Sequence, residues 1–191
     1  MSRFEIRVAG SGGQGVILAT ELIGQAVTLA EDGLYVVQSQ AYGPEARGGK
    51  SKAEVVISRE PIDYPKVMAP NLQVILTQAA AVEYARDTMP GGRVVYDDFF
   101  VDDVAPYDEG LDARVYSLPI VRAARDTLGN EIVTNMVALG CIGRVMDLEK
   151  LISSDSIRKA IENHFPVKKL ADLNLRAFEE GYKMFKQSPL P

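Results

Sequence analysis

Cysteine and histidine each occur only once among the 191 residues of this chain. A single cysteine excludes an intrachain disulfide framework, and it excludes an iron–sulfur cluster or a thiolate zinc site built from this chain alone. One histidine leaves almost no material for catalysis by a Ser–His or Cys–His pair. We therefore predict no catalytic residue and no metal ligand in this chain.

Basic tracts and long hydrophobic runs are also missing. The chain has 21 Lys+Arg against 26 Asp+Glu, a net charge of −5, which argues against a nucleic-acid-binding surface. The longest uncharged stretches, residues 67–82 and 132–143, are interrupted by proline or too short to span a bilayer. The first residues alternate charged and apolar side chains and show no targeting segment. We expect a cytoplasmic protein, not bound to a membrane, with residues 1–191 as a single domain.

Short apolar runs alternate with helical patterns along the chain. The predicted strands are Phe4–Ala9, Leu34–Val37, Ala53–Ser58, Leu72–Thr77, Arg93–Tyr96 and Arg114–Leu118. The predicted helices are Val16–Ala30, Ala79–Thr88, Pro119–Thr127, Ile132–Asp147, Asp155–His164 and Val167–Lys186. Short Val- and Ile-rich runs bounded by turn residues are typical of a buried parallel sheet. The pattern predicts an α/β, Rossmann-like layered fold with a mostly parallel sheet and a helical C-terminal region.

The first motif is a glycine run between the first strand and the first helix. Gly10, Gly12 and Gly15 have the spacing of the dinucleotide-binding fingerprint, in which glycines let the backbone approach a ligand at a helix N-terminus. That fingerprint also needs an acidic residue at the end of the second strand, where this chain has Gln38 and Ser39. A tight turn without a ligand explains the spacing equally well.

The second motif is residues 42–49, Tyr-Gly-Pro-Glu-Ala-Arg-Gly-Gly. It follows the second predicted strand, at the end of the sheet where open α/β folds place their sites. Arg47 could hold a carboxylate or phosphate in a bidentate fork. The alternative is an exposed loop with a weak Glu45–Arg47 pair.

Four further features have simpler or alternative interpretations. The acidic segment Asp97–Asp112 has no fixed ligand spacing, which favours a solvated loop over a metal or basic-partner site. Cys141 lies in an apolar helix and is most simply a buried small residue. His164 is expected at a helix end without chemistry. The amphipathic last helix either packs on its own domain or meets a partner.

Together the two motifs resemble the gamma subunit of the 2-oxoacid:ferredoxin oxidoreductases. The resemblance continues through Asp63-Tyr64-Pro65, through Asn135-Met136-Val137-Ala138-Leu139-Gly140, and through the tail Asn174–Tyr182. It therefore covers nearly the whole chain. In that family, oxidative decarboxylation of a 2-oxoacid forms an acyl-coenzyme A, and the electrons pass to ferredoxin.

The resemblance implies a division of labour among subunits. Thiamine diphosphate, magnesium, an iron–sulfur cluster and coenzyme A would be held on or with the alpha and beta subunits, and with a delta ferredoxin-type subunit where one exists. Ferredoxin would be an indirect partner. This chain would bind none of these cofactors alone and would be inactive alone. The 2-oxoglutarate branch is favoured, and pyruvate, branched-chain oxoacids and indolepyruvate are alternatives.

The resemblance also implies which residues contact a ligand or partner. They are Gly10, Gly12, Gly13, Gln14, Gly15, Tyr42, Gly43, Pro44, Glu45, Arg47, Gly48, Gly49 and Asn135. Arg47 is the first choice for a phosphate or interchain carboxylate contact, and Gln14 is the next. Asn135 either contacts a ligand or satisfies buried backbone at a helix start. Two hypotheses of other classes stay open: a ligand-free interaction domain and an NAD-binding Rossmann oxidoreductase.

Overall fold

A six-stranded mixed sheet forms the centre of the molecule, in the order β2–β3–β1–β4–β5–β6. The computed structural model describes residues 3–30, 33–42, 50–104 and 110–187. The strands are β1 (Arg3–Ser11), β2 (Tyr35–Tyr42), β3 (Lys50–Ser58), β4 (Leu72–Ile75), β5 (Gly92–Asp97) and β6 (Ala113–Leu118).

In the described residues a helix follows β1, β4 and β6, and the last three helices occur in succession. The α-helices are α1 (Val16–Ala30), α2 (Gln78–Tyr84), α3 (Ile120–Arg122), α4 (Thr134–Leu148), α5 (Ser154–His164) and α6 (Lys168–Gln187). The helix expected over Pro119–Thr127 is instead the single turn α3 followed by a π-helical segment, Ala123–Thr127. Among the described residues, no helix combines the length and the apolar character that a membrane span needs.

Five of the six strands run in the same direction, because β2 is antiparallel to β3, which is itself antiparallel to β1. β1, β4, β5 and β6 pair in parallel, whereas β3 lies antiparallel between β1 and β2. The predicted α/β fold with a mostly parallel sheet is therefore confirmed, and only the direction of β3 differs. β2 and β3 form a hairpin in which Tyr42 pairs with Ser51.

The two faces of the sheet are covered unequally. On one face, alternate residues of β1 such as Ile6 and Val8 join α1, α4, α5 and α6 in one continuous apolar core. On the other face the short helix α2 covers a smaller apolar cluster. There the buried Arg7 guanidinium donates to Glu54 at 2.7 Å and to Asp87.

The last helix, α6, packs on its own domain. This was one of the two alternatives that the sequence left open for it. α4 and α6 cross with their backbones in direct contact at Gly140 and Gly181. A Cβ atom on Gly140 would lie 2.0 Å from the Phe178 carbonyl oxygen, and one on Gly181 would lie 1.8 Å from the Val137 carbonyl oxygen. Only glycine allows two helices to approach so closely at these positions.

Cys141 lies within this crossing and is fully buried, as predicted. Its Sγ donates to the Gly181 carbonyl oxygen at 3.4 Å, and burial raises the pKa of the thiol to about 12. At pH 8 the thiolate fraction is therefore roughly one in ten thousand. We expect no reaction of the native protein with a thiol-specific dye, and one equivalent after denaturation in urea. Stoichiometric labelling of the folded protein would contradict this burial.

Candidate functional site at the carboxyl edge of the sheet

The parallel strands β1, β4, β5 and β6 all end at one edge of the sheet. The chain leaves β1 through α1 toward β2, while β4 lies on the other side of β1, so the strand order reverses between β1 and β4. Open α/β sheets bind their ligands outside the carboxyl ends of the strands at such a point. We call this region the carboxyl edge; it comprises residues 10–15, 76–78, 97–101, 118–122 and 130–135.

The glycine turn is closed by its own glutamine. The Ser11 N–H donates to Gln14 Oε1 at 2.8 Å, and the Gln14 N–H donates to the Ser11 carbonyl oxygen at 3.2 Å. A Cβ on Gly10 would lie 2.3 Å from Gln14 Oε1. The side-chain amide of Gln14 therefore lies over Gly10 and takes one backbone N–H that an anion would otherwise need.

Gly15 and Asn135 meet where α1 and α4 begin. Gly15 has a φ of +68°, which ends the turn in the left-handed region before α1 starts. Asn135 Nδ2 donates to the Gly15 carbonyl oxygen at 3.2 Å, and a Cβ on Gly15 would lie 2.5 Å from the same nitrogen. This bond supports the backbone-satisfying role for Asn135, and a ligand contact stays a prediction.

The environment of the glycine turn differs from that of a dinucleotide site in one decisive respect. In the dinucleotide-binding fold the second strand lies beside the first and presents its acidic residue to the ribose. Here β3 lies beside β1 and begins at the carboxyl edge, with Ser51 opposite Gly10. The sequence pattern placed Gln38 and Ser39 at the end of the second strand, where a dinucleotide site has its acidic residue. That placement was wrong, because both residues lie in the middle of β2.

We expect NADH to bind the chain no more tightly than a millimolar dissociation constant, about −4 kcal/mol. Among the described residues, no strand ends beside β1 at the position where the dinucleotide-binding fold places its ribose-binding acidic residue, because β3 begins there. The Gln14 side chain also covers the glycine turn. Isothermal titration of the purified chain with NADH is the measurement. A micromolar dissociation constant, about −8 kcal/mol, would revive the dehydrogenase hypothesis.

The second sequence motif joins the same edge through its two ends. Tyr42 ends β2, and Lys50, which begins β3, pairs with Ser11 of the glycine turn. The predicted contact residues between them, Gly43, Pro44, Glu45, Arg47, Gly48 and Gly49, lie outside the described residues. Their contacts therefore stay predictions, as does the contact through the Tyr42 side chain.

Sequence reasoning missed Asp97, which organises the end of β5. Its carboxylate is fully buried and accepts three backbone N–H groups: from Val121 at 2.8 Å on Oδ1, and from Phe99 at 3.1 Å and Phe100 at 2.9 Å on Oδ2. Burial raises the pKa of Asp97, although these three donors oppose the shift. The interpretation of Asp97–Asp112 as a solvated loop is therefore wrong for its first residue. An acid directly after a buried strand of an α/β sheet was the available signal.

Asp102 and Asp103 of the acidic segment are held by the start of α2. Gln78 Oε1 accepts from the Asp102 N–H at 3.0 Å, and Gln78 Nε2 donates to the Asp103 carbonyl oxygen at 2.9 Å. Both aspartates are exposed, as a solvated loop requires. Within the described ranges, no three His, Cys, Asp or Glu side chains form a group that could hold a metal ion.

Two aromatic rings project from the end of β5 and were not anticipated either. Phe99 and Phe100 are 37% and 39% exposed, and their rings meet edge to face with centroids 4.8 Å apart. The Arg125 guanidinium lies 4.5 Å from the centroid of the Phe99 ring. Their exposure depends on tertiary structure, and nothing in the local sequence pattern distinguishes them from core aromatics.

Comparison with known proteins identifies the family. Residues 5–184 match the family model described as pyruvate ferredoxin/flavodoxin oxidoreductase. The chain belongs to this family. It is also 44% identical over 186 residues to the 2-oxoglutarate synthase subunit KorC of Methanocaldococcus jannaschii, a match that covers 97% of this chain and 95% of that protein. The resemblance stated from the sequence is thus confirmed.

Two solved structures have the same fold. The keto/oxoacid ferredoxin oxidoreductase gamma subunit from Geobacter sulfurreducens superposes with a TM-score of 0.83 at 34% identity, covering 97% of this chain and 98% of that one. The 2-oxoglutarate:ferredoxin oxidoreductase from Magnetococcus marinus, solved with 2-oxoglutarate, coenzyme A and succinyl-CoA bound, also gives 0.83 at 25% identity. That match covers 99% of this chain but 32% of the neighbour's.

Another relative is also much longer than the segment that it shares with this chain. The ketoisovalerate oxidoreductase subunit VorA of Methanothermobacter thermautotrophicus is 36% identical over 177 residues, which are 92% of this chain and 35% of that protein. Family members therefore occur both as a short separate subunit and as about a third of a longer chain.

Proposed function

We propose that this chain is the gamma subunit of a 2-oxoglutarate:ferredoxin oxidoreductase. The full complex would oxidatively decarboxylate 2-oxoglutarate, form its acyl-coenzyme A and pass the electrons to ferredoxin. The observation that carries the proposal is the match to the KorC subunit along nearly the full length of both chains. The ketoisovalerate relative is less similar, at 36% identity, and the match covers only 35% of it.

The residues described do not fit the redox cofactors of such an enzyme. An iron–sulfur cluster needs several accessible thiolates, and the one cysteine is buried between α4 and α6 with a raised pKa. We therefore propose that thiamine diphosphate, magnesium, the iron–sulfur cluster and coenzyme A are bound on or with the alpha, beta and, where present, delta subunits. The cytoplasmic location and the single domain over residues 1–191 stay predictions from the sequence.

The remaining role of this chain is to contact its partner subunits at the carboxyl edge. Arg47 and Gln14 stay the first candidates for that contact on the basis of the sequence. The hydrogen bonds of Gln14 and Asn135 support a role in shaping the turn that the partner meets. A mechanism that needs catalytic groups from this chain has no support in the described residues.

The test is to purify the chain with the subunits that accompany it and to assay the complex with each oxoacid. We expect coenzyme A-dependent reduction of ferredoxin that is fastest, in kcat/KM, with 2-oxoglutarate. The isolated chain is the matched control and should show no turnover. Faster turnover of pyruvate, a branched-chain oxoacid or indolepyruvate would refute the assigned branch. Purification without any oxoacid-oxidising subunit would refute the proposed function.

A further inference from the structure

Three large apolar side chains of the carboxyl edge face solvent. Ile132 is 82% exposed, and Phe99 and Phe100 are more than a third exposed. Single exposed apolar residues are ordinary on protein surfaces, and others occur on separate elements of this chain, such as Leu29, or Val167 just ahead of α6. The carboxyl edge differs because it combines several of them with a candidate site.

Charged groups accompany these side chains along the edge. Arg125 lies over the Phe99 ring, and its hydrogen bond to Asp126, with a smaller contribution from the charge of Glu131 beside Ile132, raises the pKa of Arg125. The turn that carries Ile132 leads directly into Asn135, which bonds to Gly15. The exposed glycine Gly13 has open space around it, so another backbone can approach the glycine turn closely.

The backbone that carries the aromatic side chains is held in place before any partner arrives. Both phenylalanine N–H groups are fixed by the buried carboxylate of Asp97, and the Phe100 carbonyl oxygen accepts from the Gln78 N–H at 3.0 Å. Ile132 lies on a turn, and its backbone N–H donates to Asn130 Oδ1 at 3.1 Å. A backbone fixed in advance loses little conformational entropy on binding, and aromatic anchors are typical of interface hot spots.

We propose that Phe99, Phe100 and Ile132 are the apolar anchors by which this chain docks on the larger oxidoreductase subunit of its own complex. This inference rests on the proposed function. The choice of partner follows from the two longer family members, in which the equivalent of this chain is continuous with the rest of the enzyme. Apolar anchors surrounded by charged side chains such as Arg125 and Glu131 match the usual arrangement of an apolar centre and a polar rim.

The test is reconstitution with the separately purified larger subunits and measurement of the dissociation constant by biolayer interferometry. Ile132→Asp should weaken binding at least about tenfold, and the double variant Ile132→Asp/Phe99→Ser at least about a hundredfold. Val167→Ser is the matched control: its side chain is 55% exposed outside the carboxyl edge, and binding should stay within about twofold. Thermal unfolding of each variant checks that the fold is kept.

The possible failures are distinguishable. If the wild-type chain binds and the Ile132→Asp variant binds equally well, the docking edge is wrong while the proposed function stands. If wild-type chain and larger subunits do not assemble, the proposed function fails and the inference fails with it. If the edge variants change only self-association of the chain, measured by analytical ultracentrifugation, the occupant is a second copy and the inference is overturned.

Discussion

Replacing Gly181 by alanine should lower the free energy of unfolding by at least about 3 kcal/mol. The new methyl group would lie 1.8 Å from the Val137 carbonyl oxygen, which belongs to the backbone and cannot rotate away. α4 and α6 would have to separate along their whole contact, and the packing around Phe178 would loosen. A chain of this size loses roughly 2–4 °C of Tm per kcal/mol, so thermal and urea unfolding both resolve the effect.

The matched control is a glycine in a helix with free space around it. Gly24 lies in the middle of α1, and a Cβ built there meets no atom within 4 Å. Gly24→Ala should therefore raise the free energy of unfolding by up to about 1 kcal/mol, because alanine favours the helix and reduces the entropy of the unfolded chain. Equal effects of the two substitutions would show that α4 and α6 lie farther apart at Gly181 than they do in the structure.

Replacing Asp97 by alanine should cost roughly 2–4 kcal/mol, because three backbone N–H groups at the end of β5 would lose their acceptor. Asp98→Ala is the control; that neighbour forms a partly exposed ion pair with Arg122, and its loss should cost less than about 1 kcal/mol. Urea unfolding measures both. A loss below 1 kcal/mol for Asp97→Ala would mean that water replaces the carboxylate.

The pH dependence of the Asp97 contribution has a defined sign. Burial raises the pKa of the native carboxyl above its ordinary value of 3.8, so the native state binds the proton more tightly than the unfolded state does. The stability that Asp97 contributes is therefore largest below about pH 4 and falls as pH rises through the native pKa. The difference in unfolding free energy between wild type and Asp97→Asn should decrease over that range. A difference that grows with pH would show that the native pKa of Asp97 is lowered instead of raised.

Much of the fold follows from local pattern, and the exceptions have physical causes. β1, α1 and the amphipathic α6 lie within two residues of their predicted ends, because apolar periodicity is strong there. β2 was predicted too short, because its second half contains the polar residues Gln38, Ser39 and Gln40, which an edge strand tolerates. That error concealed the direction of β3. With β2 ending at Tyr42, seven residues remain before Lys50, too few for a parallel crossover.

The candidate site was predictable only in part. The glycine turn and Asn135 were singled out from the sequence, and the structure brings Gly15 and Asn135 together although 120 residues separate them. Asp97 was missed because its neighbours in the acidic run dominated the interpretation. The exposure of Phe99, Phe100 and Ile132 could not be predicted, since it depends on which elements surround the end of β5 and the start of α4.

The direct backbone contact of α4 and α6 also determines how these two helices separate during local unfolding. At Gly140 and Gly181 the two backbones lie directly against each other, so at these positions no flexible side chain could stretch while one helix begins to leave. Partial detachment of α6 would expose the Cys141 thiol and break the contact as a whole. The two helices, with residues 149–167 between them in the chain, therefore form one cooperative unit, and their amide protons should exchange with solvent with the same free energy of opening.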